Sequence, residues 1–322
     1  MVGDEREILL HEAVGFAQLV PQKVRMERDS IFDVASLTKV IATATAWGIC
    51  VDRGLLDPNA PMTRYLPDHQ GNGGDKITAR HLASHTSGFA ADPRAAAAGT
   101  GETMFKGLLA ESPTWEPNVH YEYACRNIIL LSLMIERVTN QSFGEFCKKE
   151  IFGPLGMKDS SFNQVTPSRR LVGTHVELGV SHNEDTLAAG RAIGNAGLFT
   201  TATDLYRVCQ MMLNGGVFHG KRLLSQKIVA EFTTAYQLPP LPSHGFIWMT
   251  GMNELHRPSA LSACAFGHGG YTGHALWIDP EKNIFTLILS NRTHPHDVPG
   301  TKEAQFRTLG RIADLALEAL GF

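Results

Sequence analysis

Apolar residues recur at helical spacing in the middle of the chain and at strand spacing near both ends. Arg6 to Gln18 alternates well enough to predict a strand with a bend at Gly15. After Ile31-Phe32, the run ASLTKVIATATAWGICVDRG predicts one long helix, packed closely through its small residues and closed near Gly54. Ile77 to His85 predicts a short helix capped by Thr78. Ala90 to Gly101 reads as a small-residue loop or helix, and residues 154–183 as loop. Between residues 126 and 152, Ile128, Leu131, Ile135, Val138, Phe143, Phe146 and Ile151 fall on one helical face. A helix from Asp204 to Leu213, opened by Thr203 and stopped by Asn214-Gly215-Gly216, precedes another at about residues 225–235.

The last third changes period. Phe246–Met252, Ala263–Gly267, His274–Asp279 and Ile284–Ser290 predict strands, and residues 301–320 an amphipathic helix with Phe306, Leu309, Ala313, Leu317 and Leu320 on its apolar face. The order predicts an α+β fold. An antiparallel sheet is built from both termini and flanked by helices, with a mainly helical lobe inserted. Residues 1–60 with 185–322 would form the sheet domain and 61–184 the lobe, with a cleft between them.

Composition narrows the function classes. The chain has 322 residues, with 29 Lys+Arg against 32 Asp+Glu, a net charge of −3 that gives no bulk attraction to nucleic acid or anionic membrane. Hydrophobic residues make up 43%, enough for a large core. The longest mostly apolar run, Val40 to Val51, is well short of the ~20 residues of a membrane span. MVGDEREILL has no apolar leader segment, and five cysteines without a C-x-x-C pair suggest reduced thiols; both point to the cytoplasm, with a longer, exported form left open.

The first chemical feature is Ser36-Leu37-Thr38-Lys39. On a helix, residues three apart share a face, so the hydroxyl and the amine come within reach of one another. An amine buried at a helix N-terminus loses proton affinity and can serve as a base, while the helix end favours a developing oxyanion. An ordinary helix with a surface lysine shows the same spacing, so the context decides. No Walker loop, no G-x-G-x-x-G after a strand and no G-x-S-x-G occurs.

That context is Ile31-Phe32-Asp33-Val34-Ala35-Ser36-Leu37-Thr38-Lys39, His81-Leu82-Ala83-Ser84-His85-Thr86-Ser87-Gly88, Gly153-Pro154-Leu155-Gly156-Met157, Ala196-Gly197-Leu198-Phe199-Thr200-Thr201-Ala202-Thr203-Asp204, and Gly267-His268-Gly269-Gly270 followed by Asp279-Pro280. In this order the chain resembles the serine β-lactamase and penicillin-binding-protein-like family, including its class C-like esterases, over roughly residues 10–300. The resemblance implies Ser36 as nucleophile and Lys39, neutral in the free enzyme, as base. It implies an oxyanion hole from the Ser36 and Tyr271 N–H groups. The family's Y-x-N motif matches Tyr123-Ala124-Cys125, with Tyr121 as a rival phenol. Tyr123 would relay the proton if a neighbouring ammonium lowers its pKa.

Two positions depart from the family. Cys125 stands where an amide is usual, and a thiol is a poor amide mimic. His268 replaces the lysine of K-T-G, removing a permanent cation that would pair with a substrate carboxylate. Gly269 and Gly270 would let a ligand approach the strand closely. The substrate-binding residues are therefore read as Cys125, His268, Gly269 and Gly270. Members of the family usually begin with a helix and a strand that this chain lacks; that strand lies inside the sheet, so either the form is shortened or another segment fills the gap.

The other candidates read as structure. His81 and His85 stand at a metal-ligand spacing but fit a polar turn better, His294 and His296 read as solvated, Cys125 has no adjacent histidine that would make it a nucleophile, and Arg169-Arg170 reads as surface. The sequence therefore predicts a serine hydrolase that needs no metal or organic cofactor and acts on a small ester or lactam, foremost a carboxylesterase on short-chain esters. A β-lactamase or D-amino-acid peptidase or amidase is the alternative, and a non-catalytic protein that binds peptidoglycan-like ligands or assembles is the second.

Overall fold

The structure, a computed structural model, describes residues 1–163, 165–236 and 240–322. Its main sheet has five antiparallel strands in the order Phe266–Gly270, His274–Asp279, Ile284–Ile288, Val2–Gly3 and Ile8–Leu10. Both termini build it, as the sequence predicts. The gap implied by the short N-terminus is not there: Val2 pairs with Thr286, Gly3 with Phe285, and the Met1 ammonium donates to the Leu287 carbonyl at 2.8 Å.

Alternation along the central strand sends side chains to two faces. Leu276 and Ile278 join a cluster with Leu205 and Val208 of the helix Ala202–Leu213. Trp277 packs in a second cluster with Leu317 of the closing helix Thr301–Ala319. A second, three-stranded antiparallel sheet pairs Phe32–Asp33 and Ser161–Phe162 with Leu198–Thr200.

The segment after Phe32–Asp33 becomes a π-helical run at Lys39–Ala44 and an α-helix at Thr45–Asp52, with Gly54 in the left-handed region just beyond (φ +69°). It packs on the helix Cys125–Thr139, whose residues Arg126–Ile135 are all buried, and Trp47 Nε1 donates to Leu131 O at 3.0 Å. The segment through Gly194 lies tight between them. A Cβ at Gly194 would stand 2.6 Å from Thr43 Oγ1 and 2.8 Å from Ile128 O, so only glycine lets this backbone come so near. Thr78 caps the helix Ala79–Ala83 in a reciprocal box with His81.

Four expectations need correction. Phe246–Met252 is not a strand: among the described residues it makes only isolated bridges, His244 to Met249 and Met249 to Gly267, because Ile247 sits at φ +71°, where no extended chain can continue. Thr201 rather than Thr203 opens the helix that follows, its side chain accepting from Asp204 N–H. The helical pattern at residues 126–152 breaks at Asn140, which adopts the left-handed conformation and ends Cys125–Thr139 before Ser142 caps Phe143–Cys147. Within the stretch read as loop, residues 161–162 form a strand, and Gln164 lies outside the described residues.

Candidate active site

Ser36 lies in the turn that joins Phe32–Asp33 to the first long helix, and Lys39 follows one helical turn on. Lys39 Nζ is 2.9 Å from Ser36 Oγ, 2.7 Å from the Asn195 carbonyl and 3.7 Å from Cys125 Sγ. Three acceptors thus surround a group with three N–H donors. The Lys39 side chain is 0% exposed, and its ammonium lies 5.3 Å from the centre of the Tyr123 ring. The Tyr123 hydroxyl hydrogen-bonds both Ser36 and Lys39. Tyr121, its rival, turns away and meets His244 Nε2 at 3.2 Å.

The charge state differs from the sequence expectation. Burial, the largest influence, pushes the Lys39 ammonium down, but Cys125 and Tyr123 beside it push the other way and leave it above the ordinary lysine value. Tyr123 is also raised: burial outweighs the pull of the Lys39 ammonium. The expected neutral amine and acidified phenol are thus replaced by an ammonium and a phenol that titrate as a pair. Desolvation alone would favour the neutral amine; the fold adds acidic partners, Cys125 and Tyr123, from the start of the helix at residue 125 and just before it.

Around this corner opens a cavity of about 960 Å³ lined by Ser36, Tyr123, Cys125, His268, Gly269 and Tyr271 among others. Among the described residues neither the Ser36 nor the Tyr271 N–H donates to a protein acceptor. His268 is 1% exposed; its Nδ1 hydrogen-bonds Gly269 O at 2.7 Å and its Nε2 has no partner among the described residues. Burial first, then the Lys39 charge, holds His268 well below the usual histidine value, so it is a neutral ring at this wall. The glycines beside it have a different reason from the expected one. A Cβ at Gly269 would meet His256 Nε2 at 2.5 Å, and one at Gly270 would meet the Val34 carbonyl at 2.8 Å, so protein neighbours rather than a ligand demand them.

His81 and His85 serve the polar turn. His81 Nδ1 accepts from Thr78 N–H at 3.1 Å, and His85 Nδ1 accepts from Ala124 N–H at 3.2 Å, which places the residue just after Tyr123. Among the described residues no group of three or more His, Cys, Asp or Glu stands where it could hold a metal ion. His294 is not solvated: Nε2 accepts from Leu19 N–H at 2.8 Å, and Nδ1 donates to Thr174 O at 3.0 Å. Arg170 is part-buried, bridging Asp29 and Asp159.

Sequence reasoning missed several groups in and beside the cavity. The Asn195 carbonyl gives no signal in a side-chain pattern. Lys302, at the start of the closing helix, brings a cation to the cavity wall. His182 also lines the cavity and is joined to Asp33; a separation of 149 residues leaves that pair invisible to any local motif.

A two-ended antiparallel sheet with helices on both faces and a serine–lysine–tyrosine corner beside it defines the β-lactamase/transpeptidase-like fold, a fold of hydrolases. The chain belongs to the Beta-lactamase family, whose family model matches residues 1–309. It is 27% identical to a D-alanyl-D-alanine carboxypeptidase-like protein of Salmonella typhimurium, over 91% of this chain and 78% of that one. It is similar in fold to an octameric penicillin-binding protein homologue from Pyrococcus abyssi (TM-score 0.76, 20% identity, 99% of this chain and 72% of that one). It is likewise similar to a family VIII carboxylesterase (TM-score 0.74, 20% identity, 97% and 91% of the two chains). No helix among the described residues is long and apolar enough to cross a membrane.

Proposed function

We propose that the chain hydrolyses short-chain carboxylic esters through an acyl-enzyme on Ser36, in a cleft between its sheet-bearing part and a mainly helical lobe. The observation that carries this reading is the three-way contact of Ser36 Oγ, Lys39 Nζ and the Tyr123 hydroxyl at the edge of an open cavity. Loss of one proton from the Lys39–Tyr123 pair creates the base. Ser36 then attacks the acyl carbonyl, its proton passing to the pair, while the oxyanion forms against the Ser36 and Tyr271 N–H groups. Tyr123 protonates the departing alcohol, and the same pair later takes the proton of the water that cleaves the ester.

The neutral His268 ring favours esters, because it offers no permanent cation to a substrate carboxylate. Lys302 supports a second reading, a β-lactamase or D-amino-acid peptidase, because it places a cation elsewhere on the cavity wall. One assay separates them: p-nitrophenyl butyrate and a chromogenic cephalosporin measured side by side, with Ser36→Ala as control. Ester turnover that vanishes in the variant and exceeds cephalosporin turnover is expected. Faster cephalosporin turnover favours the second reading, and silence on both leaves a binding protein.

A further inference from the structure

The proton path at Lys39 and Tyr123 leaves unused a second titratable pair, one member of which, His182, lines the same cavity. Asp33 is 2% exposed, three residues before Ser36. Its Oδ2 accepts from the His182 backbone N–H at 2.9 Å and from His182 Nδ1 at 2.7 Å, and the His182 side chain is only 7% exposed. Its Oδ1 accepts from the Ala35 N–H at 3.0 Å. Ala35 sits at φ +49°, a conformation that residues with a Cβ rarely adopt, immediately before the serine.

The main chain of Asp33 reaches the opposite side. Its carbonyl accepts from Thr272 Oγ1 and from His274 Nε2, both at 2.9 Å. His274 Nδ1 accepts from Ser290 N–H, so Nε2 carries the proton. Thr272 follows Tyr271 directly, and the Tyr271 ring lies flat against His182, centroids 5.9 Å apart and planes within 6°. A single residue therefore grips the turn that presents the Ser36 N–H and the turn that presents the Tyr271 N–H. His182 backs both, through the carboxylate and through the ring.

We propose that Asp33 and His182 are positioning residues that fix the spacing of the two oxyanion donors, an inference that rests on the acyl-enzyme reading above. A buried carboxylate stays ionised only while it is paired, so His182 is what allows Asp33 to hold Ala35 in its strained conformation. Burial alone would raise the Asp33 carboxyl, yet the His182 contact brings it below the usual carboxylate value. Donors set for a tetrahedral oxygen act mainly in the transition state, so losing their spacing lowers kcat and leaves KM nearly alone.

The test uses the full chain with Asp33→Asn, His182→Ala and His182→Phe, the last keeping a ring against Tyr271 without the N–H. Ester kcat is measured per serine titrated with a fluorophosphonate, so misfolded protein is not counted. The inhibition constant of a phenylboronic acid, whose tetrahedral adduct places an oxygen between the two donors, is measured alongside. All three variants should lose roughly 10- to 100-fold in kcat per titrated serine, with KM within about threefold and the boronate constant weakened by the same factor as kcat. The alkaline limb set by Lys39 and Tyr123 should stay where it is. His182→Asn, whose amide still donates to Asp33, should recover most of the boronate affinity. It also serves if His182→Ala does not fold.

Values of kcat per titrated serine and boronate constants within twofold of wild type overturn the inference alone, as does a folded His182→Asn that binds the boronate no better than His182→Phe. A wild-type chain that neither turns over the ester nor reacts at Ser36 overturns the acyl-enzyme reading, and this inference with it.

Discussion

The Lys39–Tyr123 corner and the imidazoles that wall it answer burial in opposite ways. Lys39 and Tyr123 are both held above their ordinary values, so the corner keeps its protons. His85 and His268 are held well below theirs, and His244 and His256 are lowered to about 4, so the wall gives its protons up. The rings are close: His85 lies 4.4 Å from Tyr123 and His268 lies 6.2 Å from it, centre to centre. The two regions also act on each other, because the Lys39 charge is among the causes that lower His85 and His268. The one ammonium of the corner thus stands beside rings that stay neutral, because burial and its own charge both disfavour protonating them. Under the proposed ester-hydrolase reading, the chemistry falls to the corner and the choice of substrate to the wall.

The strongest way to break this division is to remove the corner. Lys39→Ala should slow acylation of Ser36 by on the order of 10³-fold or more, since it takes away half of the pair that receives the serine proton. Rapid-mix mass measurement of the acylated protein checks it. Unchanged acylation would remove Lys39 from the reaction and leave the corner as mere packing.

A smaller effect comes from pH. The active corner has lost one proton, and both groups are raised, so its population at pH 7 is low and grows with alkalinity. Ester kcat/KM should rise about tenfold per pH unit between pH 7 and 9. A profile that is flat across this range, as for an amine already neutral at pH 7, would restore the expectation that the sequence suggested and the structure does not favour.

Acid should act through the imidazoles instead. His244, His256 and His274 are lowered from 6.5 to about 4, so they are neutral in the fold while the unfolded chain binds protons below 6.5. The unfolded state then holds more protons, and stability falls as pH drops from 6.5 toward 4. Each such ring contributes up to about 1.4 kcal/mol per pH unit in that window. Denaturant midpoints at pH 6.5 and 5 measure it, and equal midpoints would show that these rings are not held neutral.

What could be read from the sequence follows the same line between corner and wall. Ser36 and Lys39 are one helical turn apart, so local geometry alone brings them together. Tyr123 is 84 residues farther on, and only the order of motifs pointed to it over Tyr121. The five-stranded sheet was legible because the strand pattern along His274–Asp279 is local, whereas Phe246–Met252 is as apolar at its start and fails through one backbone angle at Ile247. The charge of Lys39 was not legible, because it depends on Cys125 and Tyr123 arriving from elsewhere in the chain. The pairing of His182 with Asp33 and the bracing of Gly269 by His256 are likewise products of the closed fold.

The smallest expected effect sharpens the wall. His268 sits on the strand that borders the cavity, neutral, with Nδ1 committed to the Gly269 carbonyl. A lysine there would add a charge near Lys39, and part of its attraction for an anion would be lost to that repulsion. His268→Lys should therefore lower KM for a carboxylate-bearing ester only about tenfold, while lowering the pH at which the corner becomes active, since a second cation favours loss of the Lys39 proton. The two readouts belong together: KM for paired substrates with and without a carboxylate, and the position of the alkaline limb. A lower KM without a displaced limb would place residue 268 on the substrate but electrically apart from Lys39. A displaced limb without a change in KM would place it on the proton path and off the substrate, and the wall would then have no part in choosing what the corner cleaves.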